Sequence, residues 1–416
     1  PPPPPPIAQW PPSPPPPFPP PPPEPITSRA IFPGYLQYCS VFLDYDNDEM
    51  LKDTENDDFE PSDITDSLGG FTLNIIARDS ATFSKVIIKT ASNEGCVDSF
   101  TNTKPGMLTL RAPMDASVIT PLTTVAIEIA SVYLITVERA AELILESMGL
   151  AEESIDSDLI FKIDPFQKLV IDGDDSIATV AYASVNVANA ISMISSLLYG
   201  AGTSSKAEAE AATLLAFAKR IGDTNIVLRK KRRILLEKYT KRLNVSDSSD
   251  ISSIISSAVS VVSRTSPDVR VDTASKNAVA QASASASSYL LSTNTTSESY
   301  SGEGISKICA AAVKVLQDPE LLEAIFDLGR DAETESTLIR DLQSSATMSA
   351  KYETAKASVS VVIPQYPLPP SPPPHHPPPL TIPVTLTSSD AVAPSFPKWT
   401  IWWLSCLTLT IALAAS

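Results

Sequence analysis

Proline is the residue that most limits how this chain can fold, because its ring fixes φ and removes the backbone N–H donor. Of the 39 prolines in the 416-residue chain, eighteen lie in Pro1–Pro25 and eleven in Pro364–Pro383. Tracts this dense adopt extended polyproline II, and at ~3.1 Å per residue the first would span on the order of 75 Å. We therefore expect two semi-rigid spacers on either side of a folded middle.

The folded middle, about 340 residues between the two tracts, contains no histidine. Both histidines of the chain, His375 and His376, lie in the second proline tract. A folded region without histidine cannot contain a Ser-His-Asp or Cys-His catalytic site, or a histidine-bound metal. The composition therefore favours a protein without catalytic activity.

The negative charge of the chain is concentrated in one segment. The formal net charge is −17, and Asp44–Asp66 contributes −10 of it, with eleven acidic residues opposed only by Lys52. Nucleic-acid binding is not expected, because phosphates require positive charge. A segment this acidic favours multivalent cations or simple solvation.

The four cysteines exclude one kind of site and leave a pairing open. Cys39, Cys96, Cys309 and Cys406 include no Cys-x2-Cys spacing, which excludes a zinc ribbon. Cys39 and Cys96 lie in the same predicted β-region, so a disulfide between them and two unrelated buried thiols are both compatible with the sequence.

The pattern of apolar residues changes from β-like to helical near Pro121. Short apolar runs bounded by Gly, Asn and Ser predict the strands Tyr38–Leu43, Phe71–Ile76, Val86–Ile88 and Met107–Leu110. Longer proline-free runs then predict helices at Leu122–Met148, Asp174–Leu198, Ala207–Leu243 with a break near Gly222, Ile251–Val262, Ala274–Leu291, Gly304–Gln317 and Glu320–Lys356. Ser246–Ser301 is so rich in serine that we do not expect firm order there.

These patterns predict an α+β multidomain chain, in which a small β-sandwich-like module precedes an α-helical region and polyproline II tracts flank both. The expected divisions are a polyproline tract at 1–25, the β-module at 36–120, a helical domain at 121–245, a serine-rich segment at 246–301, a helical segment at 302–358, a proline-rich linker at 359–398 and a hydrophobic anchor or anchor signal at 399–416.

The acidic segment contains the spacing of a calcium loop. Asp44, Asp46 and Asp48 fall at loop positions 1, 3 and 5, Met50 offers its backbone carbonyl at position 7, and Glu55 falls at position 12. Two features depart from the pattern, since Glu49 replaces the turn glycine at position 6 and Lys52 occupies position 9. The sequence thus predicts a Ca²⁺ site, and the alternative is a solvated acidic loop.

The same region resembles a known kind of module. Val41–Asp48, Glu60-Pro61-Ser62 and Thr65–Leu73 resemble the calcium-binding β-sandwich modules of bacterial surface proteins. The loop here is some five residues longer than in those modules, so the resemblance implies that Glu55 or Glu60 supplies the last ligand. The predicted ligand set is Asp44, Asp46, Asp48, Met50, Glu55 and Glu60.

Two further resemblances point to the cell surface. Leu110–Pro113 and Val118–Thr124, which reads VITPLTT, resemble a segment that recurs in large cell-surface proteins and precedes a helical part. Ser13–Pro17 and Ser371–Pro374 resemble the Ser-Pro repeats of extensin- and pherophorin-type wall glycoproteins, whose prolines are hydroxylated and glycosylated. The second resemblance implies a glycosylated rod with wall polysaccharide or other surface glycoproteins as partners.

The C-terminal segment predicts attachment to a membrane. Trp399–Ser416 carries no charge and follows a short spacer after Ser388-Ser389. Small residues, a spacer and an apolar terminus are typical of the signal for a glycosylphosphatidylinositol (GPI) anchor, and a plain transmembrane tail is the alternative.

The sequence therefore predicts a membrane-anchored glycoprotein on the outer face of the plasma membrane or in the cell wall, with a structural or adhesive role. The other interpretation is a cytoplasmic tail-anchored scaffold whose polyproline recruits SH3, WW or profilin-type domains. A signal peptide upstream of Pro1 would favour the first interpretation, and a long charged cytoplasmic domain the second.

Overall fold

A computed structural model describes residues 25–46, 48–52, 60–74, 85–89, 95–105, 109–148, 157–172, 175–232, 243–293, 301–331 and 337–363. The predicted polyproline tracts (all but Pro25 of the first), the anchor segment Trp399–Ser416 and the predicted ligand Glu55 lie outside these residues.

The described chain is an α+β protein with two small sheets. Its strands are β1 Ile26–Phe32, β2 Gly34–Gln37, β3 Ser40–Asp44, β4 Ser62–Ile64, β5 Gly70–Leu73, β6 Lys85–Lys89, β7 Val97–Asp98, β8 Thr109–Pro113 and β9 Val118–Ile119. One sheet has the order β5-β1-β2-β7, with β9 pairing in parallel with β1, and the other has the order β4-β3-β6-β8. All other strand pairs are antiparallel.

The predicted strands at Tyr38–Leu43, Phe71–Ile76, Val86–Ile88 and Met107–Leu110 correspond to β3, β5, β6 and β8 over their described residues. β1 and β2 were not predicted from the sequence, and β1 begins directly after the first proline tract. β1 pairs with three other strands, and most of its side chains are buried. The proline tract therefore leads into a central strand of the sheet rather than into a linker.

Twelve helices follow among the described residues. They are α1 Pro121–Tyr133, α2 Val137–Met148, α3 Asp158–Phe161, α4 Pro165–Asp172, α5 Asp175–Gly200, α6 Lys206–Arg232, α7 Ser248–Val262, α8 Thr273–Thr293, α9 Gly302–Leu316, α10 Pro319–Arg330, α11 Thr337–Gln343 and α12 Ser345–Ser358. Several of these helices begin with a residue whose side chain caps the first turn, such as Thr120 before Pro121 and Asp318 before Pro319.

The prediction of one helix over Leu122–Met148 is wrong. Leu134 adopts a left-handed conformation (φ 52°, ψ 47°) and ends α1, and α2 leaves at 113° to it. The hydroxyl of Thr136 accepts a hydrogen bond from the Arg139 N–H (3.2 Å), which caps the start of α2. The bend lets α1 pack on β8 while both helices contact α6.

The predicted break near Gly222 is also wrong, because α6 continues through this glycine. A Cβ at Gly222 would lie 2.1 Å from the Tyr133 ring, so the residue is small to admit that ring rather than to end the helix. The predicted helix at Glu320–Lys356 is divided into α10, α11 and α12.

The serine-rich segment is ordered over its described residues, contrary to expectation. Within it, α7 and α8 pack against each other. Ile251, Ile254 and Ile255 of α7 are fully buried, and so are the small side chains Ala282 and Ala286 of α8. The serines of α7 are exposed or half-buried, whereas Ser275, Ser283 and Ser287 of α8 are buried among its alanines.

The buried apolar side chains of the sheets and helices form one continuous core. Its central helix is α5, which contacts α6, α8, α9 and α10. Residues Ile177–Gly200 of α5 are long and apolar enough to cross a membrane, but most of this segment is buried inside the core. Its apolar character therefore has a sufficient explanation in packing.

Cys39 and Cys96 form a disulfide across 57 residues of sequence, which resolves the alternatives that the sequence left open. The bond joins the start of β3 to the start of β7, and therefore the two sheets. Cys309 in α9 is a buried free thiol.

Candidate metal site in the acidic loop

Three of the predicted ligands meet at the end of β3. Asp44 is the last residue of this strand and is buried, whereas Asp46 and Asp48 are exposed on the loop that follows. One carboxylate oxygen from each lies within 4.8 Å of the other two. Carboxylates this close repel one another unless a cation lies between them.

Backbone hydrogen bonds to these carboxylates shape the loop. Asp46 accepts from the Asp48 N–H (3.2 Å), Asp48 accepts from the Met50 N–H (2.7 Å), and Asp44 accepts from the Glu49 N–H (3.3 Å). Asp at alternate positions turns the chain in this way because its short side chain reaches backbone groups two residues on.

Glu49 occupies the loop position where a calcium loop has glycine, and it adopts the conformation that the glycine would have. Its backbone φ is +59°, in the left-handed region that residues other than glycine, Asn and Asp rarely adopt. The first departure from the calcium-loop pattern therefore does not change the path of the backbone at this position.

Arg111 of β8 holds Glu49 in place. Its Nε and Nη2 donate to the two carboxylate oxygens of Glu49, each at 2.8 Å, across 62 residues of sequence. The same arginine donates its backbone N–H to Thr124 and accepts from the Thr123 hydroxyl, at the start of α1. The acidic loop is thus tied through one buried arginine to the helical region.

Glu60 does not join the three aspartates but closes the loop at its base. It is buried, and its two oxygens accept the N–H groups of Tyr45 (3.0 Å) and Lys52 (3.2 Å). Burial raises the pKa of this carboxyl above its usual range. Glu60 therefore positions the loop, and its role as a direct ligand stays a prediction.

Lys52 supplies the positive charge at the cluster. Its Nζ contacts the Asp46 carboxylate and lies 3.2 Å from Oδ2 of Asp48. This hydrogen bond lowers the pKa of Asp46, and the same contact raises the pKa of Lys52. A metal ion bound by both carboxylates would have to displace this ammonium group.

The remaining predicted ligands have different positions. The Met50 side chain is exposed, and its backbone N–H is used by Asp48. Glu55 lies outside the described residues. The roles of Arg111 and of the Lys52 ion pair were not predictable from loop spacing, because both depend on side-chain contacts.

Further buried carboxylates have roles within the fold, among them Asp98, Asp164 and Asp250. Asp98 accepts four hydrogen bonds, from the N–H groups of Gly34, Phe100 and Thr101 and from the Thr101 hydroxyl. Asp164 caps α4 and pairs with Arg29, and Asp250 pairs with Arg220 at 2.6 Å. Each of these bonds holds a turn, a helix start or a helix pair.

Comparison of this chain with protein-family models, curated proteins and solved structures finds no match. Its function is therefore argued from its residues and their geometry. The resemblances to calcium-binding modules and to wall glycoproteins stay predictions that depend on the motifs quoted above.

Proposed function

We propose that this chain is an extracellular glycoprotein of the cell surface or wall, with a structural or adhesive role and without catalysis. The glycosylated proline tracts would be rods that hold the α+β region away from the surface. A GPI anchor, or a transmembrane tail at Trp399–Ser416, would attach it to the membrane.

The Cys39–Cys96 disulfide carries the proposal. Disulfides persist in oxidising compartments, whereas the cytosol keeps thiols reduced. The two cysteines are fully buried and join the two sheets, so the pairing belongs to the folded core rather than to an accessible redox pair. This weighs against the cytoplasmic scaffold, which the proline tracts alone do not exclude.

The acidic loop would contribute stiffness through Ca²⁺. Asp44, Asp46 and Asp48 offer hard oxygen ligands, and a bound ion would link β3 to the loop that Arg111 ties to α1. An affinity in the millimolar range would suit a module in an extracellular medium.

Surface labelling tests the location. Intact cells that produce the protein are treated with a membrane-impermeant biotin reagent, and the protein is then alkylated before and after reduction. We expect biotin on the protein and alkylation of Cys39 and Cys96 only after reduction. Protection from biotin together with free Cys39 and Cys96 thiols would instead establish the cytoplasmic alternative.

Calorimetry on the full chain tests the metal site. Titration with Ca²⁺ should give a binding isotherm for the wild type and none for the double variant Asp46→Ala, Asp48→Ala. The matched control is Asp158→Ala, which removes an exposed carboxylate on α3 that pairs with Lys162. Indistinguishable titrations of wild type and double variant would remove the calcium site from the proposal.

A further inference from the structure

The helical region carries an acceptor motif for a covalently attached sugar. Asn244-Val245-Ser246 has the form Asn-x-Ser, with x other than proline, which is the acceptor triplet for N-linked glycans in secreted proteins. A second triplet, Asn294-Thr295-Thr296, lies outside the described residues. Because such triplets also occur by chance, the position of Asn244 in the fold decides whether this one can accept a glycan.

Asn244 lies at the surface, in the turn that leads into α7. Its side chain is exposed, whereas Leu243 before it is buried and Ser246 after it is half-buried. The helix then begins at Ser248, with Asp247 as its cap. A glycan is bulky and strongly hydrated, so its attachment atom has to lie in solvent. The position of Asn244 meets this requirement.

The fold uses the backbone and the side-chain oxygen of Asn244. The backbone N–H donates to Oδ2 of Asp250 at 3.0 Å, and the backbone carbonyl accepts from the Asp247 N–H at 2.9 Å. The side-chain Oδ1 accepts from the N–H of Ser246 (3.1 Å) and from its hydroxyl (2.6 Å), which closes an Asx turn. A backbone N–H can only donate, so the amide atom that faces Ser246 is the oxygen.

These bonds leave the amide nitrogen of Asn244 unused. Its Nδ2 has no hydrogen-bond partner among the described residues, and it points away from Ser246 because the nitrogen and oxygen of an amide lie on opposite sides of its carbon. Replacement of one Nδ2 hydrogen by a sugar therefore breaks none of the bonds of the turn. The linked amide keeps its carbonyl oxygen, so the contacts with Ser246 also persist.

The surface beside the triplet is polar. Ser246 lines a cavity of about 600 Å³, to which Gln281, Ser285 and Ser288 of α8 contribute amide and hydroxyl groups. Such groups form hydrogen bonds with water or with the hydroxyls of a sugar. A glycan that leaves Asn244 therefore has polar neighbours on this side of the turn.

We propose that Asn244 carries an N-linked glycan. The sugar comes from an oligosaccharide donor of the polyprenyl-diphosphate class. Nδ2 forms a bond to the anomeric carbon of the first sugar, the bond from that carbon to the diphosphate oxygen breaks, and one Nδ2 proton leaves to a base of the transferase. The diphosphate departs with the electron pair of the broken bond.

The inference rests on the proposed surface function, because the transferase meets only chains that enter the secretory pathway. It is distinct from the sugars that the resemblance to wall glycoproteins implies for the proline tracts. Those would be attached to hydroxyproline oxygen, whereas this glycan is attached to an amide nitrogen in the folded helical region.

Peptide mapping of the surface fraction tests the site. The full chain is labelled on intact cells with the impermeant biotin reagent, purified through the biotin, and treated with peptide N-glycosidase in water that contains heavy oxygen. Trypsin then releases Leu243–Arg264, in which Asn244 is the only asparagine, so Asn294 cannot contribute to the signal. We expect this peptide to carry aspartate with heavy oxygen at position 244, and to be undetected at its unmodified mass without the glycosidase.

Gel mobility of variants tests the triplet itself. Asn244→Gln and Ser246→Ala should each lose one glycan and migrate faster than the wild type, whereas Ser246→Thr keeps the hydroxyl and should migrate as the wild type does. The control is Asn277→Gln, which removes an exposed asparagine of α8 that stands in no acceptor triplet and should leave the mobility unchanged. Mapping of the wild type decides the question even where a variant fails to fold.

Two results separate failure of the site from failure of the proposed function. Unmodified Asn244 in biotin-labelled protein, or wild-type mobility of Asn244→Gln, would overturn the site and leave the surface function in place. A chain that is never labelled by the biotin reagent would overturn the surface function, and the glycan at Asn244 with it.

Discussion

Replacement of Gly200 by alanine tests the close crossing of α5 and α10. Gly200 is the last residue of α5, and a Cβ there would lie 1.8 Å from the backbone oxygen of Phe326 on α10. Real Cβ atoms do not approach closer than 3.0 Å, so one helix has to move by more than 1 Å. The clashing oxygen belongs to the backbone, so no side-chain rotation can relieve the clash.

The expected loss of stability follows from that displacement. Overpacking of a well-packed core costs about 1–3 kcal/mol, and a clash with backbone belongs at the upper end of that range. Moving α10 also loosens Leu321, Ile325 and Leu328, which it buries. Part of this loss is offset, because alanine is more stable than glycine in a helix by roughly 0.5–1 kcal/mol. The net loss should therefore be about 2–2.5 kcal/mol.

Gly202 offers a matched control two residues away. A Cβ there meets nothing within 4 Å, but its φ of +106° makes any side chain strained. Gly202→Ala should therefore cost about 1 kcal/mol, from backbone strain alone. Urea unfolding followed by far-ultraviolet circular dichroism measures both variants against the wild type.

Gly329→Ala on α10 extends the test from the other side of the crossing. Its Cβ would lie 2.2 Å from the backbone oxygen of Leu197. One displacement of α10 relieves both clashes, so the double variant should lose less than the sum of the single losses. A Gly200→Ala loss no larger than that of Gly202→Ala, or strict additivity with Gly329→Ala, would refute the close crossing.

Three other perturbations test separate parts of the structure. Lys52→Gln removes the ammonium that contacts Asp46 and Asp48, so calorimetry should show tighter Ca²⁺ binding; unchanged or weaker binding would contradict the competition. Reduction of Cys39–Cys96 should lower the free energy of unfolding in urea by about 4 kcal/mol, from the chain entropy of a 57-residue loop; coincident curves with and without reductant would count against this. Burial raises the pKa of Asp98 from 3.8 to about 7, so the stability from its neutral form is fully present below about pH 4 and is lost as pH rises through about 7. Relative to Asp98→Asn, the wild type should lose about 4 kcal/mol over this range in urea unfolding, and parallel pH profiles would exclude the shift.

Features that depend on neighbouring residues were predictable. The spacing of Asp44, Asp46 and Asp48 brings three carboxylates together because one turn of one loop holds them all. The strand at Val86–Ile88 and the helix at Ile251–Val262 follow from runs of apolar residues with the period of each structure. Part of the candidate metal site and most helix positions were therefore available from the sequence.

Other features depended on partners distant in the chain. The motif that suggested Glu60 as a ligand did not show that this carboxylate also closes the loop, which depends on the Tyr45 and Lys52 N–H groups that face it. The expectation of weak order in the serine-rich segment failed because composition does not show that α7 and α8 have a neighbour to pack against.

By itself, the sequence determined the positions of the proline tracts, the change from β-like to helical patterns, and a local cluster of negative charge. Tertiary structure alone decided which cysteines pair, that Arg111 holds Glu49 across 62 residues, and that α5 and α10 cross closely at Gly200 and Gly329. The physical reason is the range of the interactions. The backbone preferences of single residues and the spacing of apolar residues act within a few residues of sequence. A disulfide, an ion pair between distant residues or a helix crossing exists only when separate elements pack against each other.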